Sequence, residues 1–178
     1  MSGVGRPGMT GPESERLPTF RYHPDSLGTR MVVLVDNPCP VCQRKRGYSY
    51  VGPFYSEGEV HGICPWCIKD GSAARAFGGE FQDSAACEPV SSSEALDELL
   101  HRTPGYNGWQ QEQWLSHCGD FCAYLGSVGY EDISEFAEDL AADVPLEMME
   151  RLSKERSPTG YLFRCLTCGK SRLAWDSD

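Results

Sequence analysis

Hydrophobic and polar positions along the chain change period from one segment to the next. "MVVLVDNP" (31–38) is an apolar, β-branched run ending in Asn-Pro, which predicts a strand stopped by a turn. "RGYSYVGPFYS" (46–56) places aromatic residues around Gly52-Pro53 and predicts a hairpin or two short strands. "IKDGSAARAFGGEF" (68–81) reads as one short helix closed by Gly78-Gly79. "SSSEALDELLHRTPG" (91–105) is a clearer helix: Ser91 and Glu94 have capping-box spacing, Leu96, Leu99 and Leu100 form a stripe, and Pro104-Gly105 stops it. The aromatic segment "GWQQEQWLSHCGDFCAYLG" (108–126) is predicted to be mostly helical. "EDISEFAEDLAAD" (131–143) puts Ile133, Phe136, Ala137 and Leu140 on one side of a further helix. "PLEMMERLSKER" (145–156) follows as another, with Pro145 in its first turn and basic residues in its last. "YLFRCLTCGKSRLAWD" (161–176) reads as strand, knuckle, strand.

Residues 1–16 carry Gly, Pro and Ser without apolar periodicity and are expected to form a disordered leader. The remaining elements predict an α+β protein in two lobes. Residues 17–85 form a treble-clef-like zinc-finger lobe, and residues 86–178 a helical lobe closed by a C-terminal zinc-knuckle hairpin. No apolar run reaches the length of a secretory signal or a membrane span, so a cytoplasmic protein is expected. Thiols stay reduced there, which turns attention from disulfides to metals.

The chain holds nine cysteines, and eight of them suggest a pattern. Cys39 and Cys42 form one Cys-x-x-Cys pair, and Cys64 and Cys67 form a second after a gap of 21 residues. Two such pairs match the four-thiolate zinc arrangement, because each Cys-x-x-Cys turn supplies two adjacent corners of a tetrahedron. A single redox pair in "CPWC" is the competing reading, but it leaves the upstream "CPVC" unexplained. Cys165 and Cys168 make another knuckle. Their expected partners are Cys118 and Cys122, which share one face if residues 108–126 are helical. His117 is an alternative to Cys118, and small buried hydrophobes are the alternative to metal binding altogether. Two Zn²⁺ ions are therefore expected, with Cys87 left as an unliganded thiol.

The formal charge is −10, and the segment Asn107–Glu150 accounts for all of it with ten acidic residues and no Lys or Arg. Two four-thiolate zinc sites take the total to about −14. Such a field disfavours nucleic acid and suits a basic protein surface; a solvated helical face is the plainer reading. The small basic runs Arg44-Lys45-Arg46 and Lys154-Glu155-Arg156 read as solvated turns or helix ends.

Four stretches, "PTFRYHPD" (18–25), "CPWCIKDGSAA" (64–74), "RTPGYNGWQQEQWLSHCGDFCAYLG" (102–126) and "GYLFRCLTCGK" (160–170), resemble the CbrC family, named for colicin tolerance in bacteria. The resemblance runs from about Leu17 to the C-terminus and leaves out Cys87 and the leader. It implies a bacterial cytoplasmic protein without a settled catalytic activity, acting in survival of a protein toxin.

The expected function is thus that of a non-catalytic zinc protein engaged in protein–protein interaction, with a basic toxin as the partner the resemblance suggests. Its surface is expected around Trp109, Trp114, Asp120, Phe121 and Tyr124, although core packing is the plainer role for the two tryptophans. Two alternatives stand beside this reading: a zinc-dependent hydrolase and a nucleic-acid-binding regulator. The hydrolase needs an open second site around His117, Cys122, Cys165 and Cys168, with Asp120 or Glu112 as general base. His23 beside Asp25, and His101, are further lone polar candidates, each read first as a surface or capping residue. No HExxH, P-loop, GxSxG or GxGxxG motif is present.

Overall fold

The computed structural model describes residues 16–178, so all but the last residue of the expected leader lies outside the described residues. Strands β1 (Val32–Leu34) and β2 (Tyr48–Tyr50) pair antiparallel, with Val32 opposite Tyr50. The Cys39–Cys42 turn sits inside their connection. Of the hairpin or two short strands expected around Gly52-Pro53, only β2 forms as a strand, and Tyr55 makes an isolated bridge to Glu80. Helix α1 (Pro65–Lys69) begins at the second cysteine pair and α2 (Ser72–Phe77) follows at once. The single helix read from the sequence is two because Gly71, at φ 72°, takes the left-handed conformation between them. Phe20, Tyr50, Ile63, Ile68 and Phe81 pack into one core together with Cys39, Cys64 and Cys67.

Helix α3 (Ser93–Arg102) starts one residue later than its sequence pattern suggests, because Ser92 rather than Ser91 accepts from the Ala95 N–H, at 3.1 Å. The next segment overturns the helical prediction. It folds into β3 (Ser116–His117), β4 (Asp120–Phe121) and β5 (Ala123–Val128). Cys118 and Gly119 both have positive φ, 53° and 78°, and join β3 to β4 as a two-residue hairpin turn that no helix can contain. The second half of the chain is therefore centred on a sheet rather than on helices.

That sheet is antiparallel in the order β5-β6-β7, with β6 (Thr159–Arg164) and β7 (Ser171–Asp176) as its C-terminal hairpin. Alternation along the strands divides its two faces. Tyr124, Tyr161, Phe163 and Ala174 face a core holding Tyr22, Leu99, Tyr106 and Trp114. Val128 and Leu173 face the opposite way, onto Ile133, Leu140 and Met149. These last come from α4 (Tyr130–Ile133), α5 (Ala137–Leu140) and α6 (Leu146–Met149), so the two expected amphipathic helices are three short ones. Ile133, Ala137 and Leu140 of the predicted stripe are buried and Phe136 is half-buried, whereas Met149 joins this core from outside the stripe. The N-terminal segment serves two cores, since Phe20 packs with the cysteine pairs and Tyr22 with the sheet. Among the described residues no helix is long and apolar enough to cross a membrane.

Candidate metal centres

Cys39, Cys42, Cys64 and Cys67 converge with their sulfurs within 4.8 Å of one another. Cys39 Sγ lies 3.8 Å from Cys67 Sγ, and Cys42 Sγ lies 3.8 Å from Cys64 Sγ. A tetrahedron with metal–sulfur bonds of 2.3 Å has edges of about 3.8 Å, so both distances match edges of such a shell and the cluster could hold a metal ion. Cys39, Cys64 and Cys67 are buried and Cys42 half-buried.

The local backbone explains how a Cys-x-x-Cys turn aims two sulfurs inward. The Cys39 N–H donates to the Arg44 carbonyl at 3.0 Å, the Gln43 N–H donates to the Cys39 carbonyl at 2.9 Å, and Gln43 takes φ 58°. The same three features recur at the other end of the chain. Cys165 N–H donates to Lys170 at 2.8 Å, Gly169 N–H donates to Cys165 at 3.0 Å, and Gly169 takes φ 75°. Two turns separated by most of the sequence share one knuckle geometry.

The second knuckle faces a partner pair other than the expected one. His117, Cys118, Cys165 and Cys168 form the second cluster of mutually close donor atoms. His117 Nδ1 lies 3.2 Å from Cys118 Sγ and 3.4 Å from Cys168 Sγ. A tetrahedral edge between an imidazole nitrogen and a thiolate around zinc is about 3.6 Å, close to both values. Cys122 is corrected out of this group. It is buried, and its carbonyl accepts from Trp114 Nε1 at 3.0 Å inside the aromatic core. The i, i+4 argument failed because the segment is a hairpin, and His117 joins Cys118 rather than replacing it. Both donor sets are compatible with a metal ion, and with zinc in each the net charge becomes about −13.

Charged groups grip the β3–β4 turn from two sides. Asp120, at its far end, accepts from Tyr22 Oη at 2.7 Å and pairs with Arg21. Ser116, at its near end, offers its carbonyl to the Arg172 guanidinium and its N–H to Glu88 Oε2, the latter at 2.6 Å. Arg172 also reaches Glu88 Oε1 at 3.0 Å and Asp143 Oδ1 at 2.8 Å. Burial alone raises the Glu88 carboxyl, but Arg172 and the Ser116 amide outweigh it and hold it below its usual range.

The thiols themselves show why a cation suits these clusters. Burial drives Cys64 well above the ordinary thiol range and Cys67 up to about 11. Burial also raises Cys39, but the N–H groups of Cys42, Cys64 and Val41 aimed at its sulfur bring it lower than normal. Cys165 is opposed by burial in the same way and falls to about 6 through the N–H groups of Cys168 and Thr167. Contact with Cys168 lifts Cys118 to about 11. Each knuckle thus favours one thiolate, at Cys39 and at Cys165, while burial opposes ionisation of Cys64 and Cys67 and contact with Cys168 opposes that of Cys118; a positive ion among these sulfurs offsets that opposition.

The remaining candidates are placed elsewhere. Glu112 is buried and accepts from Tyr55 Oη at 2.8 Å, while His101 bonds Asp97 at 2.9 Å. His23 is buried against Pro104 and Thr29, and the Asp25 carboxylate caps the Gly28 N–H. Cys87 Sγ lies 3.3 Å from the Asp83 carbonyl and belongs to neither cluster; burial raises it to about 12. The expected aromatic surface is also corrected: Trp114, Phe121 and Tyr124 are core residues, and only Trp109 is half-exposed. The signal that points to His117 is Gly119 in "SHCGDF", since glycine suits the second, positive-φ position of a two-residue hairpin turn.

A family model described as an uncharacterised protein family, UPF0167, matches residues 17–177. A UPF0167 protein of Mycobacterium bovis is 43% identical over 169 residues, covering 87% of this chain and 90% of that relative. One from Pseudomonas aeruginosa is 39% identical over 173 residues, covering 90% of this chain and 97% of its own. No solved structure matches the chain. The CbrC resemblance is corrected by these findings, since the matching family and the relatives bear the UPF0167 name and nothing in them points to CbrC or to colicin tolerance. The toxin-survival role drawn from that resemblance falls with it.

Proposed function

This chain belongs to the UPF0167 family, whose description gives no activity, and we propose from the two donor sets that it is a zinc-fastened, non-catalytic binding protein. One zinc is held by Cys39, Cys42, Cys64 and Cys67, and the other by His117, Cys118, Cys165 and Cys168. The observation carrying this reading is that each cluster brings four protein donors within 4.8 Å of one another. Four donors complete a tetrahedral shell, whereas a hydrolytic zinc keeps a position for water. The first lobe is treble-clef-like in this reading to the extent that Cys64 and Cys67 open α1, although its knuckle lies between β1 and β2.

The proposed partner is a protein with a basic surface. Glu131, Glu135, Glu138, Asp139, Glu147 and Glu150 are exposed, and no Lys or Arg occurs between Asn107 and Glu150 to offset them. A one-signed patch of this kind steers oppositely charged proteins and repels nucleic-acid phosphates.

Elemental analysis with zinc and sulfur-edge X-ray absorption tests the reading. Two zinc ions per chain, with four sulfurs around one and three sulfurs and one nitrogen around the other, are expected. A chain purified without zinc, or with water bound to either ion, overturns it. Capture from lysate by wild type and by Glu135→Lys/Glu138→Lys/Asp139→Lys tests the partner; equal recovery of every protein removes the acidic surface from the proposal.

A further inference from the structure

The two clusters differ in what surrounds them. In the first, three of four sulfurs are buried among Phe20, Tyr50, Ile63, Ile68 and Phe81. In the second, Cys118 and Cys168 are both exposed, and only Cys165 is buried. The exposed sulfurs meet at the tips of two separate turns, the β3–β4 hairpin and the β6–β7 knuckle, with each sulfur within 4.8 Å of the other donor atoms. Cys118 also occupies a left-handed position, φ 53°, that a non-glycine residue adopts at a cost.

We infer that the second site is an oxidant-releasable clasp: hydrogen peroxide converts Cys118 and Cys168 to a disulfide, zinc leaves, and the first site stays intact. This rests on the zinc reading above and names its regulation. Susceptibility to oxidation follows thiolate character and access, and zinc supplies the thiolates while the surface supplies access. The Cys168 thiolate attacks one peroxide oxygen; an S–O bond forms, the O–O bond breaks, and the departing hydroxide takes a proton to become water. The Cys118 thiolate then attacks that sulfur; an S–S bond forms, the S–O bond breaks, and the departing hydroxide takes a second proton to become water. Two electrons pass from the two thiolates to the peroxide. His117 and Cys165 alone do not complete a tetrahedron, so Zn²⁺ departs.

Release changes the molecule's outer surface but not its cysteine-rich core. The β3–β4 turn and the β6–β7 knuckle, bridged by an ion in the reduced protein, become bridged by a sulfur–sulfur bond of different length and direction. Arg21 and Tyr22 on Asp120, and Arg172 on Ser116, keep the hairpin attached while its tip rearranges.

The test uses the full zinc-loaded chain, hydrogen peroxide and a chromogenic zinc chelator, with disulfide mapping by mass spectrometry. One zinc per chain is expected to leave about tenfold faster than the other, with Cys118 joined to Cys168 and full recovery on adding thiol reductant and zinc. Cys168→His keeps four donors while removing one of the two sulfurs; it should hold two zinc ions and release the second about tenfold more slowly than wild type. Equal release of both ions, release of neither, or wild-type kinetics in Cys168→His overturns the inference. Zinc counted before peroxide separates the two readings: fewer than two ions per chain defeats the zinc assignment itself, whereas two ions that peroxide does not displace defeat only the clasp.

Discussion

His117 Nδ1 stands 3.4 Å from Cys168 Sγ, so a residue of the short β3 strand closes on a turn 51 residues later. This contact assigns the fourth donor of the second cluster to His117 rather than Cys122. The consequence is sharp. His117→Ala should reduce zinc from two ions per chain to one, because three thiolates leave the tetrahedron open. Cys122→Ala should keep both ions and cost about 1 kcal/mol for the small void it leaves in the core. Elemental analysis of the two variants decides between the assignments, and loss of zinc in Cys122→Ala would reverse them.

Arg172 should matter more to the second half of the chain than any other surface charge. Its guanidinium joins β7 to Glu88, Asp143 and the Ser116 carbonyl, and Asp143 also accepts from the Leu173 N–H at 3.0 Å along the outer edge of the sheet. Arg172→Met strands two carboxylates together and should destabilise the protein by about 3 kcal/mol. Arg172→Lys should recover less than half of that, since one ammonium does not serve two carboxylates and a carbonyl in fixed directions. Urea unfolding of the zinc-loaded proteins measures both, and a change within error in Arg172→Met refutes the clamp.

What the sequence disclosed follows the range of the forces involved. A Cys-x-x-Cys turn is local, so Cys39, Cys42, Cys64, Cys67, Cys165 and Cys168 were legible as converging pairs before any fold was known. The partners of Cys165 depend on whether residues 108–126 coil or extend, and their aromatic content suits either. Trp114, Cys118 and Cys122 fall at helical spacing, yet the left-handed pair Cys118-Gly119 reverses the chain between them. Ile133, Ala137 and Leu140 were correctly placed in a core, while the breaks between α4, α5 and α6 were not, because burial fixes a face without fixing the continuity of the helix behind it. The grip of Arg172 and Glu88, 84 residues apart, has no local signature at all.

His23 sets an acid limit on stability. It is fully buried; Nδ1 donates to the Pro104 carbonyl at 2.9 Å, which leaves Nε2 to accept from the Thr29 hydroxyl at 2.7 Å. Burial lowers its pKa from 6.5 to about 4, so the folded protein keeps the ring neutral while the unfolded chain protonates it. The depressed value means that full stability is present above pH 6.5 and is lost as pH falls toward 4. By pH 5 the loss should reach about 2 kcal/mol. Comparing the pH 7 and pH 5 unfolding free energies of wild type with those of His23→Gln isolates this contribution, since acid loss of zinc is common to both. Equal differences would mean that His23 does not titrate against folding.

Cys118 offers a test in which stability and metal binding move in opposite directions. The first position of a two-residue hairpin turn with positive φ favours Asn, Asp or Gly, and Cys gains nothing there from the backbone. Its presence makes physical sense as a donor: the left-handed conformation directs its sulfur toward His117 Nδ1, 3.2 Å away, and toward the knuckle of Cys165 and Cys168. Cys118→Asn should therefore stabilise the metal-free turn, by on the order of 0.5 kcal/mol given the several-fold preference of Asn for this region. The same variant should hold one zinc rather than two, because a neutral amide is a poor substitute for a thiolate at this ion. Cys118→Ala should lose the zinc without the compensating gain. Zinc counts, together with chelator-treated unfolding curves of wild type and both variants, separate these effects. Two zinc ions in Cys118→Asn would show that the turn was built for some purpose other than holding metal.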